Sequence, residues 1–153
     1  MDKTMIHFSM DDVIQSLRQA ALSLPESIFE IPLFAKLKEW HRLHQIRVSL
    51  YVHYTDRERA FCLGQLPTKY IEQLFAENDW LRVNYHGVND KSNYLDEKRF
   101  EQEYEAFLRL FAGRGKLAES VRFHCWQYPD GAHGKILQNG VKCLLCPEIK
   151  RDG

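Results

Sequence analysis

The fold of this chain is decided by Met5-Ile6-His7-Phe8-Ser9-Met10-Asp11-Asp12 and the Val13-Ile14-Gln15-Ser16-Leu17 that follows. Ile6, Phe8 and Met10 alternate with His7, Ser9 and Asp11, the two-residue period of a strand with one apolar and one polar face. From Val13 the period lengthens, and Val13, Ile14, Leu17, Ala20 and Ala21 share one face of a helix. Two adjacent carboxylates therefore stand where a strand ends and a helix begins. In open α/β sheets and β/α barrels, that edge is where ligands bind. Asp12 alone would serve as a helix cap, accepting hydrogen bonds from the first free N–H groups. A second carboxylate beside it adds a repulsion that a cation or proton must offset, so the pair reads as functional.

The same alternation recurs along the chain. Ile46 to Tyr54 sets Ile46, Val48, Leu50 and Val52 against Arg47, Ser49, Tyr51 and His53. Trp80 to His86 sets Leu81, Val83 and Tyr85 against Arg82, Asn84 and His86. Val121 to Trp126 sets Val121, Phe123 and Cys125 against Arg122, His124 and Trp126, and Val141 to Cys146 closes the series before Pro147. Helical stretches separate these strands. One carries Leu33, Phe34, Leu37, Trp40 and His44 behind Pro32, and another runs from Thr68 to Ala76. The strongest has Phe100, Tyr104, Phe107 and Phe111 on one stripe with Gly113 stopping it, and a weak one lies around Lys135 to Gln138. Thr55 to Arg59 reads as a solvated charged loop.

Strand and helix in alternation imply an α/β fold of five parallel β/α units, with strands near residues 5–11, 46–54, 81–86, 121–126 and 141–146. Parallel strands covered by helices on both faces are apolar throughout. Four of these strands keep a polar face, which fits the interior of a barrel or a curved sheet opening into a groove. Asp11, His53, His86 and His124 gather at the carboxyl ends, and that convergence points to an active site.

The 153 residues suit a single domain spanning 1–153. Lys+Arg and Asp+Glu both number 21, so the net charge is zero and no electrostatic footprint for nucleic acid or an acidic membrane is present. The N-terminal residues resemble neither a secretory signal nor a span, and the expected location is the cytoplasm. Cys143 and Cys146 have C-x-x-C spacing, but no second such pair completes a tetrahedral site. Cys62, Cys125, Cys143 and Cys146 are read as buried small hydrophobes.

Ser9-Met10-Asp11-Asp12-Val13 resembles the Asp-Asp motif of the polysaccharide deacetylase superfamily of carbohydrate esterases. The order of later motifs is also similar: Ser27-Ile28-Phe29-Glu30, Ser49 through His53-Tyr54, Tyr85-His86-Gly87 and Arg122-Phe123-His124. The likeness runs from Ile6 to Cys146. It implies an irregular β/α barrel and a metal-dependent hydrolase that removes an acetyl group from an N-acetylated sugar. The cofactor expected is a divalent metal, zinc in first place.

By the resemblance, Asp11 is the catalytic base, Asp12 and His86 are metal ligands, and Arg122 supports the base. The family's second histidine falls here on Asp90, an oxygen donor, with Asn93 a further candidate. The family's general acid sits on a later strand that this chain lacks, and His124 or His53 is left to substitute. His53, Tyr85, Asn93 and Trp126 are the expected contacts to the carbohydrate substrate; Tyr51, Tyr85, Trp126 and Tyr128 could stack on sugar rings, although core packing is the more common role for most such side chains. A complete barrel needs about 200 residues, so the chain reads as a C-terminally shortened barrel. Its open last strand would favour a homodimer. The competing expectation is a non-catalytic carbohydrate-binding or scaffold protein that keeps the groove and has lost activity.

Overall fold

The computed structural model describes residues 7–87, 96–111, 114 and 116–145, with the backbone alone at Trp126. The elements run β1 (Phe8–Met10), α1 (Ile14–Ser23), α2 (Pro32–His44), β2 (Val48–His53), α3 (Thr68–Ala76), β3 (Leu81–Gly87), α4 (Glu97–Phe111), β4 (Ser120–Val121), α5 (Ala132–Gln138) and β5 (Cys143–Leu144). A 3-10 turn at Ile28–Glu30 leads into α2. It is held by a reciprocal cap in which the Ser27 N–H donates to Glu30 Oε1 at 2.7 Å and the Phe29 N–H donates to Ser27 Oγ at 3.2 Å. Pro32 then opens the helix, where its fixed φ suits the first turn and its missing N–H costs nothing.

β1, β2 and β3 form a parallel sheet in that order, with Ser9 opposite Ser49 and Ser49 opposite Arg82. β4 and β5 form a second parallel pair. The five parallel β/α units of a partial, irregular β/α barrel are therefore not what this chain builds. Among the described residues five strands are divided between two small sheets of three and two strands, and no barrel closes.

The reason lies at both ends of the fourth unit. Strand pairing ends after Val121, and although Phe123 is still extended, His124–Trp126 forms a 3-10 turn in which Cys125 is left-handed, with φ 52°. Between β3 and β4 the backbone contact is a hydrogen bond from the Ala118 N–H to the Val83 carbonyl at 2.9 Å. Beside it, the side-chain amide of Asn84 donates to the Ala118 carbonyl, and to the Ser120 carbonyl at 3.1 Å. A side chain stands where a continuous sheet would place a backbone ladder. The last strand is likewise two residues long, not the six of 141–146, so the edge it offers to another chain is short.

The core lies between the sheet's apolar face and the helices. Leu50, Val52, Leu81 and Val83 are buried there with Ile14, Leu17, Phe34 and Leu74. The α4 stripe of Phe100, Tyr104, Phe107 and Phe111 is buried as its spacing requires. The Tyr85 ring sits among these side chains, with centroids 5.3 Å from Tyr104 and 5.4 Å from Phe107, both edge-on. Burial pushes the Tyr104 hydroxyl up to about 12.

Two smaller expectations also change. Asp56, in the loop read as solvated, is 1% exposed; it accepts from Arg18 Nη1 at 2.9 Å and from the Phe61 N–H at 3.1 Å, tying the loop to α1. Cys125 and Cys143 are exposed and Cys62 is half-buried, so none of the three acts as a core hydrophobe. Among the described residues no helix is long and apolar enough to cross a membrane.

Candidate metal centre

Four passages of chain bring one donor each to the carboxyl edge of the three-stranded sheet, and three of them leave regular geometry to do so. Asp12 follows β1 with φ 57°, a left-handed conformation that Asp tolerates better than most residues. It does not cap α1: the N-cap is Val13, with no side-chain hydrogen bond. His53 ends β2 just where the register slips, so that it pairs with Gly87. His86 is the last side chain of β3, before Gly87. His124 opens the turn that contains left-handed Cys125. Bulges and left-handed residues re-aim side chains, and they concentrate at functional sites.

Asp12 Oδ1 lies 2.8 Å from His53 Nε2, 3.6 Å from His86 Nε2 and 3.7 Å from His124 Nδ1. His86 Nε2 and His124 Nδ1 are 3.4 Å apart, and all four donor atoms fall within 4.8 Å of one another. His53 is buried, and its Nδ1 has no hydrogen-bond partner among the described residues. Its Nε2 meets the Asp12 carboxylate. One carboxylate and three imidazoles that converge, one atom each, are a donor set that a cation placed among them would satisfy. This cluster could hold a metal ion, and it is the one group of three or more such donors among the described residues.

The electrostatics suit that use. Burial, then the neighbouring His86, pushes His53 down to about 4 against the pull of Asp12. Burial also holds His86 below its ordinary value, against its hydrogen bond to the Arg122 carbonyl. Neutral imidazole is the form that ligates metal. His86 Nδ1 lies 2.5 Å from that carbonyl oxygen, which can only accept, so Nδ1 carries the proton and Nε2 presents its lone pair to the cluster.

Asp11 turns the other way. Its Oδ1 accepts from Arg122 Nε at 3.1 Å and from Nη2 at 2.5 Å, while Nη2 also donates to Ser9 Oγ at 3.0 Å. The guanidinium rests over the Tyr51 ring, 5.1 Å from its centroid. Tyr51 is in turn fixed by a 2.6 Å hydrogen bond between its hydroxyl and Ser120 Oγ.

The structure thus brings together Asp11, Asp12, His53, His86, Arg122 and His124. His53, expected against substrate, and His124, expected in the reaction, both stand among the donor atoms. Tyr85 is not in the groove; it is buried under α4. Asp90, Asn93 and the Trp126 side chain lie outside the described residues. A cleft of about 280 Å³ opens beside the cluster, lined by Asp12, His53 and His124 with Ile14, Gln15 and Arg57. Sequence reasoning missed Gln15 and Arg57, which no periodicity marks. A larger cavity of about 570 Å³, among whose lining residues are Arg47, Arg82, Lys142 and Glu119, lies at the opposite edge of the sheet, away from these donors.

Comparison with known protein families, with curated proteins and with solved structures finds no match. The chain is a small α/β protein carrying a cluster of three histidines and an aspartate able to hold a metal ion.

Proposed function

We propose that this protein is a metal-dependent hydrolase that removes an acetyl group from an N-acetylated sugar. The observation that carries this reading is the division of labour in the carboxylate pair. Asp12 faces the three imidazoles, while its neighbour Asp11 is held outside the cluster by Arg122. A ligand and a base are the two roles that amide hydrolysis at a metal requires.

A divalent cation held by the cluster would polarise the acetyl carbonyl and lower the pKa of the attacking water. Asp11 would take the water's proton. Both Arg122 contacts fall on Oδ1, which leaves Oδ2 for the transfer. The water oxygen bonds to the carbonyl carbon, the C–N bond breaks, and the same proton passes from Asp11 to the leaving nitrogen. Acetic acid and a free amine result, and they ionise to acetate and an ammonium group. All three histidines at the centre count among its donors, so one carboxylate serves as base and then as acid.

That absence of a separate acid among the described residues at the centre also favours a second reading, a non-catalytic carbohydrate-binding protein that keeps the centre. The two separate on one assay: protein loaded with a divalent metal, incubated with chitooligosaccharides, and followed for acetate. The hydrolase releases acetate, and metal bound without acetate supports the second reading. Asp11→Asn should keep metal and lose acetate release, whereas Asp12→Ala should lose both. Metal lost in both variants would make Asp11 a ligand and remove it as the base.

A further inference from the structure

We infer that the cavity at the amino edge of the three-stranded sheet binds a small phosphomonoester, its phosphate held by Arg47 and Arg82 and its organic part set against Phe8. The site shares no residue with the metal centre and needs no metal, so it stands or falls apart from the hydrolase reading.

The register brings the two arginines together. Val48 pairs with Leu81 and Ser49 with Arg82, so Arg47, one residue before β2, stands diagonally across from Arg82 on the neighbouring strand. Arg47 and Ser49, two residues apart, share the polar face of the sheet with Arg82. Long side chains at diagonal positions of one face reach each other, and like charges so placed repel.

Nothing in the lining offsets that repulsion. Arg47 makes no hydrogen bond or ion pair among the described residues. Arg82 donates its Nε to the Asn78 carbonyl at 3.3 Å, which leaves its two terminal nitrogens for a ligand. Of the two carboxylates that line the cavity, Glu119 is taken by Lys142 at 3.0 Å, and Asp79 forms an ion pair with neither arginine.

The backbone that carries these cations is fixed. His41 Nδ1 donates to the Ile46 carbonyl at 2.8 Å, and the Val48 N–H donates to the Trp80 carbonyl at 2.7 Å, pinning the chain on both sides of Arg47. The Trp80 ring, a wall of the cavity, is stacked on His41 with centroids 4.6 Å apart and donates Nε1 to Glu77 Oε2 at 2.7 Å. A frame set before the ligand arrives lowers the cost of binding it.

The chemistry of the ligand follows from the donors. Each guanidinium fork grips a pair of oxygens; a carboxylate has one pair to give, whereas a phosphomonoester has a third oxygen and a second charge. The volume of about 570 Å³ exceeds what the anion alone needs and falls in the range of small-molecule pockets. Phe8, 46% exposed, gives the rest of the molecule an apolar wall.

The test titrates the full chain, freed of metal and dialysed into low-salt buffer, with phenyl phosphate, inorganic phosphate and benzoate by calorimetry. Expected is one phenyl phosphate per chain, displaced by inorganic phosphate, with benzoate at least about tenfold weaker. Arg47→Gln and Arg82→Gln should each weaken phenyl phosphate by about tenfold or more, and Asp79→Asn should tighten it a few-fold by removing a like charge. Arg47 is exposed, so its replacement leaves the core intact, and titration of the unaltered protein needs no variant. Absence of phenyl phosphate binding, unchanged affinity in either arginine variant, weaker binding in Asp79→Asn, or benzoate bound as tightly as phenyl phosphate would each overturn the inference.

Discussion

On one face of the three-stranded sheet Leu50, Val83 and Tyr85 are buried; on the other Tyr51, Asn84 and His86 are buried just as deeply. The first set is covered by apolar and aromatic side chains, most visibly the rings of Tyr104 and Phe107 around Tyr85. The second set is covered by a short stretch of chain, residues 118–122, which supplies each polar group with a partner. Ser120 Oγ meets the Tyr51 hydroxyl, the Ala118 and Ser120 carbonyls meet Asn84, and the Arg122 carbonyl meets His86. Equal burial is thus reached by two routes. Apolar burial asks only for volume and tolerates change of shape, whereas polar burial asks for one atom in one place. The second route positions the metal centre, because the stretch that satisfies the polar face runs directly into His124.

The contrast can be tested by removing one member of each face. Phe107→Ala empties a fully buried aromatic site beside Tyr85 and should cost about 3–5 kcal/mol, read as a fall in the denaturant midpoint. Metal affinity in what remains folded should be unchanged. Asn84→Ala should cost less, about 1–3 kcal/mol, by leaving the Ala118 and Ser120 carbonyls without their donor. Unlike the first variant it should also weaken metal binding, since His124 loses its anchor. Loss of metal in the Phe107 variant, or none in the Asn84 variant, would break the distinction between the faces.

A smaller effect comes from pH. His53 titrates near 4 in the folded protein and near 6.5 when unfolded, so between those values the unfolded chain binds the extra proton. Stability of metal-free protein should be complete above about pH 6.5 and decline as pH falls toward 4. A denaturation series with chelator present should show that decline, and His53→Gln should reduce it.

Much of this architecture can be read from side-chain alternation. The helix bounds Thr68–Ala76 match, and Asp11, Asp12, His53, His86 and His124 do share one edge. What alternation does not report is hydrogen-bond pairing. Val121, Phe123 and Cys125 alternate with Arg122, His124 and Trp126 as a strand would, yet the chain turns at Cys125 after two paired residues. A period of two records where side chains point, and an extended loop shares it. Asp56 was misread for a related reason: among Arg57, Glu58 and Arg59 nothing local marks the one charge that Arg18 draws inward from 38 residues away. The slipped register that turns His53 toward the cluster is equally silent in sequence, since it depends on the partner strand.

Arg122 hydrogen-bonds Asp11 across 111 residues of chain, while its own carbonyl steadies His86. That span fixes when the centre can exist. A chain emerging from the ribosome carries Asp12, His53 and His86 on its three paired strands before His124, and the fourth donor and the Arg122 carbonyl that orients His86 arrive only when residues 118–122 close over the sheet. The loop-closure entropy of so distant a contact is met only after the local elements have formed, so the centre assembles late in folding. A divalent cation present throughout should therefore leave the refolding rate nearly unchanged and slow unfolding, as for any interaction that is absent from the transition state. Stopped-flow refolding and unfolding with and without Co(II) would place the centre in time, and faster refolding with the ion would move its assembly to an early step.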